Sequence, residues 1–183
     1  SELRASLANP LFVRQLLSGF VVNMAVIMTM PTTMLALKRG YGVSDRNALF
    51  FSLIQLVGAV IMSRAVGKLA SRIGPRKVLI YCYCAFLLTT LLWAVCPMQL
   101  HPAFVWLPFF LIGGAYVSEN NATMHYFLQT IPENNRVVAS IAIAVLTGAL
   151  AGLVGMLLSG ALLRWVNASF ADVAAIHRYR VYF

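Results

Sequence analysis

The sequence predicts an all-α fold, a polytopic bundle of transmembrane helices. Of its 183 residues, 61% are hydrophobic and only 10% are charged, whereas a soluble domain carries roughly a quarter charged residues. Its mean hydropathy is +0.82. The apolar residues fall into runs of about 20 or more, the length that one helix needs to cross a bilayer. The segments of alternating polarity, about 10 residues long, that are typical of membrane barrels do not occur in the sequence.

Five apolar runs are long enough to span a membrane. The predicted spans cover residues 11–37, 48–66, 78–96, 103–131 and 137–163. Pro31 lies inside the first span and predicts a local distortion of that helix. The basic and aromatic segment 178–183 is typical of the approach to a sixth span. Residues 1–183 therefore form one transmembrane domain.

The chain reads as part of a longer protein. It begins at Ser1, Glu2 and Arg4, without an initiator methionine or a signal-peptide pattern. Its formal charge of +9 comes from basic residues that flank apolar runs, which favours lipid headgroups and membrane topology over nucleic acid as the reason. The three cysteines lie in or at the end of one apolar run and predict neither a disulfide framework nor a metal site.

A short basic segment separates the second and third spans. Residues 67–77 read GKLASRIGPRK, with glycines at both ends of the first eight positions and a basic pair at the close. The side of the membrane that carries this segment holds more of the 14 lysines and arginines than the other side does. We therefore predict that this side is cytoplasmic.

This segment resembles the signature loop of the major facilitator superfamily, which lies between the second and third helices of each six-helix half. The matching positions are Gly67, Arg72, Gly74, Arg76 and Lys77. The resemblance implies that the first glycine allows close helix packing and that the arginines take part in gating; the alternative is that these cations only set topology. Ser71 stands where the family usually has an aspartate, which leaves the charge relay incomplete.

The resemblance extends to the layout of the whole chain. The segment from Pro132 to Arg136 resembles the family's loop between the fourth and fifth helices of a half. Together with the start at Ser1, this layout predicts the C-terminal half of a transporter, helices seven to eleven and the start of twelve. The N-terminal half is then the principal partner.

Polar side chains concentrate in the fourth span, one of the two helices that, by the resemblance, approach the central cavity. We expect substrate or proton-coupling residues here and in the first two spans. The candidates are Tyr116, Glu119, Asn120, Thr123, His125 and Tyr126 in the fourth span, with Asn23 and Gln55 in the first and second.

Glu119 is the acid that lies well inside an apolar span, and an intramembrane carboxyl is a functional-site hypothesis by default. It either binds and releases a proton, holds a cationic substrate, or is a structural carboxyl hydrogen-bonded to Asn or Tyr. His125 either joins a proton path or is an interfacial histidine. Asn23 and Gln55 either touch substrate or form hydrogen bonds between helices.

The sequence therefore predicts secondary active transport of a small organic solute by alternating access, coupled to protons as a symporter or antiporter. The alternative is a non-transporting membrane receptor or scaffold with the same helices. No enzyme motif or cofactor site is expected. The expected partners are the solute, protons and lipid, and the expected location is the plasma or bacterial inner membrane.

Overall fold

The computed structural model describes residues 7–97, 99 and 102–183, except for the side chains of residues 102 and 103. Ser1, Glu2 and Arg4 lie outside the described residues. The main helices are α1 (Pro10–Gly40), α2 (Asp45–Ile73), α3 (Pro75–Ala94), α4 (Pro102–Thr130), α5 (Glu133–Ser169) and α6 (Ala175–Tyr182). The described residues thus form helices and short connections, which confirms the predicted all-α class.

Four of the described helices, α1, α2, α3 and α5, are long and apolar enough to cross a membrane. Helix α4 corresponds to the predicted fourth span and is 29 residues long, which also suffices for a core about 30 Å thick. Its second half carries the polar run from Ser118 to Gln129. The membrane crossing of α4 stays a prediction from its length and its place between spanning helices.

The ends of α1 and α2 follow from local chemistry. The Asn9 side chain accepts a hydrogen bond from the Leu11 amide at 3.0 Å, and Pro10 occupies the first turn, where its missing N–H costs nothing. Ser44 caps α2 by accepting from the Asn47 amide at 3.4 Å. Asp45 follows in the first turn of α2, where its negative charge is favourable at the N-terminal end of the helix dipole.

The basic segment 67–77 was expected to be a loop, and this expectation is wrong. Helix α2 continues to Ile73 and α3 begins at Pro75, so only Gly74 interrupts the two helices. Gly74 has φ 85° and ψ 148°, a conformation that is essentially restricted to glycine. The Gly-Pro pair was read as a loop, but Pro75 is favourable in the first turn of a helix. The motif cations therefore sit on helix ends.

Helix α4 forms the centre of the bundle because it packs along both α2 and α3. Two glycines allow the contact with α2: a Cβ on Gly58 would collide with the carbonyl group of Phe110, and one on Gly113 with that of Gln55. Backbone therefore lies against backbone, as small residues permit in membrane bundles. The sequence had not indicated this seam.

Helix α1 packs against α5 through a second set of small residues. A Cβ on Gly155 would lie 2.9 Å from the Met24 carbonyl oxygen, and one on Gly152 would lie 3.4 Å from the Ile27 side chain. Gly148 has no such neighbour among the described residues. Of these three glycines of α5, Gly152 and Gly155 therefore lie in the contact with α1, and Gly148 does not.

Two helices contain π-helical turns, in which each backbone N–H bonds to the fifth preceding carbonyl. One turn ends α1 at Ala36–Gly40, shortly after Pro31, which lies within the continuous helix Pro10–Leu35. The other lies within α5, at Ala144–Leu150. The π-helical turn at the end of α1 thus begins five residues after Pro31, whereas a proline disturbs the turn that precedes it, so the distortion predicted at Pro31 stays a prediction.

Candidate functional site

Glu119 lies inside the bundle, on the face of α4 that meets α3. Its side chain is only 3% exposed, and its Oε1 accepts a hydrogen bond from the Thr123 hydroxyl at 3.0 Å. Cys82 and Tyr83 of α3 pack in the same cluster as Ala122, which lies on α4 one turn after Glu119. The spacing of Glu119 and Thr123, one helical turn apart, makes this bond natural in α4. For a purely structural carboxyl we had expected Asn or Tyr as the hydrogen-bond partner; the partner is Thr123 instead.

Gln15 ties α1 to this site. Its Nε2 donates to the Thr123 carbonyl oxygen at 3.0 Å, so Thr123 contacts Glu119 through its hydroxyl and α1 through its backbone. The Gln15 side chain is 6% exposed, and its Oε1 has no partner among the described residues. Gln15 was not among the predicted site residues because it lies beside Arg14 near a span end. The signal in the sequence was an amide side chain inside the first apolar run, one turn before Ser18.

No cation neutralises the Glu119 carboxyl among the described residues. The ion pairs there join Lys38 to Asp45 at 2.5 Å and Arg136 to Glu133 at 3.0 Å. A buried carboxylate without a cation is costly, whereas a neutral carboxyl with a hydrogen bond is much less so. The site can therefore hold a proton on Glu119 for as long as the bundle stays closed around it.

Three other candidates on α4 are exposed, unlike Glu119. Tyr116 is 38% exposed; Asn120 and His125 are exposed as well. The Asn120 amide donates to the Tyr116 carbonyl oxygen at 2.9 Å within the same helix. Helix α4 therefore presents one polar side to the inside of the bundle and another to its exterior.

Tyr126 and Tyr83 lie together at a cavity of about 260 Å³ between α1, α3 and α4. Tyr83 also lines a larger, mostly apolar cavity of about 380 Å³ between α1, α3 and the end of α6. The two cavities therefore share Tyr83 as a lining residue.

Asn23 and Gln55 lie apart from Glu119. The Asn23 amide donates to the Gly19 carbonyl oxygen of its own helix at 3.0 Å. Gln55 lines a separate cavity of about 260 Å³, and its amide lies 3.9 Å from the Met30 sulfur of α1. Hydrogen bonding between helices was one of the two alternatives for these residues, and among the described residues only Gln55 makes such a contact, a weak one.

Comparison with known proteins identifies the family. Residues 1–156 match the model of the Major Facilitator Superfamily. This chain belongs to the major facilitator superfamily. Neither the curated proteins nor the solved structures contain a match. Membership confirms the resemblance drawn from the motif and establishes membrane transport as the general function of this facilitator chain. Its assignment to the second half stays a prediction.

The signature motif of this facilitator chain lies where α2 ends and α3 begins. Arg72, Arg76 and Lys77 are exposed at the ends of α2 and α3. The Ser71 hydroxyl donates to the Lys68 carbonyl oxygen at 2.8 Å, so it is engaged with its own helix. Gly67 has no atom within 4 Å of its Cβ position among the described residues. The close packing expected at Gly67 is therefore not made within this part of the chain.

Proposed function

We propose that the complete protein carries a small organic solute across the plasma or bacterial inner membrane by alternating access. In this proposal Glu119 is the group whose protonation is coupled to the movement. The observation that carries the proposal is a carboxyl that is 3% exposed, has a hydroxyl partner and has no cation among the described residues. Ionisable side chains within membrane spans lower stability, and those that occur commonly mark proton or substrate pathways.

Coupling requires that the protonation state of Glu119 changes the packing of the helices. The carboxyl contacts Thr123, whose carbonyl oxygen accepts from Gln15 of α1, and it faces Tyr83 of α3. A negative charge at this point favours any arrangement that admits water or a cation. Deprotonation then favours separation of α1 and α3 from α4, and protonation favours their closure.

The exposed side of α4 is the proposed solute surface. Tyr116 and Asn120 combine an aromatic ring and an amide, which suit a small organic molecule with polar groups. Facilitator-type transporters bind near the midplane between their two halves. The exposed position of these two side chains agrees with a surface that the other half completes.

The first experiment tests protonation of Glu119 without requiring the solute. The full-length protein in lipid vesicles is treated with dicyclohexylcarbodiimide, an apolar reagent that modifies protonated carboxyls in membranes, at a series of pH values. Modification of Glu119 is read by mass spectrometry of peptides. We expect labelling that falls as the pH rises. Absence of labelling at acidic pH, while added apolar carboxylic acid in the same vesicles reacts, would contradict the proposal.

The second experiment tests coupling. Vesicles containing wild-type protein, Glu119→Gln or Asp172→Asn are given a pH gradient, and flux of a radiolabelled organic cation and of a monosaccharide is measured. Asp172→Asn is the matched control because this acid is exposed outside the main helices. We expect Glu119→Gln alone to abolish gradient-driven flux. Equal gradient-driven flux in all three proteins would remove Glu119 from the mechanism, and no flux in wild type for any solute would favour a non-transporting role.

A further inference from the structure

Two arginine side chains line the 260 Å³ cavity between α1, α3 and α4. It lies at the end of the bundle formed by Pro10, Gly74 and Thr130, which we call the motif end. Arg14 lines it from α1 and Arg76 lines it from α3. The ion pairs among the described residues involve neither of them. Two guanidinium groups from different helices thus share a cavity without a carboxylate from the described part of the chain.

Polar groups fill the inner part of the same cavity. Ser18, Tyr83 and Tyr126 supply hydroxyls, and Gln15 is the buried amide whose Oε1 lacks a hydrogen-bond partner. The Gln15 Oε1 atom is itself buried beneath the cavity surface, so the hydroxyls are the polar groups that a ligand would meet here. A ligand that brings both a negative charge and hydrogen-bonding groups would therefore suit the two arginines and these hydroxyls together.

The outer rim of the cavity is apolar. Leu11 is 48% exposed and Ile80 is 50% exposed, and both line the cavity beside the arginines. A soluble anion gains nothing from such a rim, whereas an acyl chain does. Basic pockets between transmembrane helices at a membrane surface are suited to phosphate headgroups, since guanidinium groups bind phosphate through paired hydrogen bonds.

We propose that this cavity binds the headgroup of an anionic phospholipid, with its phosphate between Arg14 and Arg76 and its headgroup hydroxyls among those of Ser18, Tyr83 and Tyr126. The acyl chains would lie along Leu11 and Ile80. The site is separate from the protonation of Glu119, which does not line the cavity. In this proposal Arg76 of the motif binds lipid, a role that does not require the aspartate that Ser71 replaces.

The test measures lipid binding to the full-length protein by native mass spectrometry with phosphatidylglycerol, phosphatidylcholine and inorganic phosphate. The variants are Arg14→Gln, Arg76→Gln and Lys77→Gln. Lys77 is the matched control because it is adjacent to Arg76, exposed and absent from the cavity lining. All three carry the same loss of charge, so a purely non-specific attraction would fall equally in each.

We expect phosphatidylglycerol to bind in preference to phosphatidylcholine. The two arginine variants should weaken it about tenfold or more, as for loss of a hydrogen bond to a charged group, and Lys77→Gln less than about twofold. Equal weakening in all three variants would overturn the site. Binding of inorganic phosphate with the same arginine dependence, but without phosphatidylglycerol binding, would overturn the lipid source. Carbodiimide labelling of Glu119 should be unchanged in Arg76→Gln, so the two proposals fail separately.

Discussion

Replacing Gly113 by alanine should force α2 and α4 apart. A Cβ at this position would lie 2.8 Å from the carbonyl carbon of Gln55, with the carbonyl oxygen closer still. Carbon atoms pack at about 3.5–4.0 Å, so the helices must separate by on the order of 1 Å. The obstacle is backbone, which has no rotamer to change. The strain therefore falls on the whole seam.

The magnitude follows from what the seam loses. Separation by about 0.5–1 Å forfeits a quarter to a half of the dispersion energy of each affected contact, and overpacking typically costs about 1–3 kcal/mol. Alanine also gains up to about 1 kcal/mol over glycine as a helix former. Gly160→Ala isolates this gain, because Gly160 lies in α5 with no atom within 4 Å of its Cβ position among the described residues.

The assay is thermal unfolding of the full-length protein in detergent, followed by intrinsic tryptophan fluorescence. We expect Gly113→Ala to be about 1–3 kcal/mol less stable than Gly160→Ala. Gly58→Ala should behave like Gly113→Ala, and the double variant should lose less than the sum, because one separation accommodates both methyl groups. Equal stability of Gly113→Ala and Gly160→Ala would refute the backbone contact.

Three further predictions concern single side chains. Gly74→Ala should cost about 1–3 kcal/mol because of its positive φ, whereas Gly67→Ala in the adjoining helix should be neutral or stabilising by thermal unfolding. Burial raises the pKa of the Tyr41 phenol, so stability from its neutral hydroxyl is complete below pH ~10 and is lost as pH rises through the higher folded value. Tyr41→Phe should therefore cost less than about 1 kcal/mol at pH 8 and reduce the alkaline loss. Thr123→Val, but not Thr123→Ser, should increase carbodiimide labelling of Glu119 at a fixed pH, because the hydrogen bond that the Thr123 hydroxyl donates to the carboxylate is removed. Unchanged labelling in Thr123→Val would show that this bond is unimportant.

The sequence predicted the helices and the burial of Glu119 because both follow from composition along one chain. A long apolar run has few alternatives in lipid, and an acid within it has to face protein. Local periodicity was sufficient for each of these predictions.

Contacts between helices were not accessible in the same way. Gly58 and Gly113 form the α2–α4 seam, yet neither belongs to a small-residue pattern that distinguishes it from other glycines. Gln15 reaches Thr123 only because α1 and α4 meet at the motif end. Gly74 was misread because glycine followed by proline suits both a loop and a single-residue break between helices.

The π-helical turn in α5 changes which of its residues share a face. At 100° per residue, Ala139 and Gly155 would point ~160° apart on a regular α-helix. Yet Ala139 lies in one buried cluster with Phe12 and Leu16 of α1, and Gly155 approaches Met24 of the same helix. One additional residue in the turn at Ala144–Leu150 rewinds the later part of α5 by about 100° and brings the two positions within ~60°. Deleting Gly148, which has no atom within 4 Å of its Cβ position among the described residues, would therefore rotate the later half of α5 away from α1 while every side chain of the contact is retained.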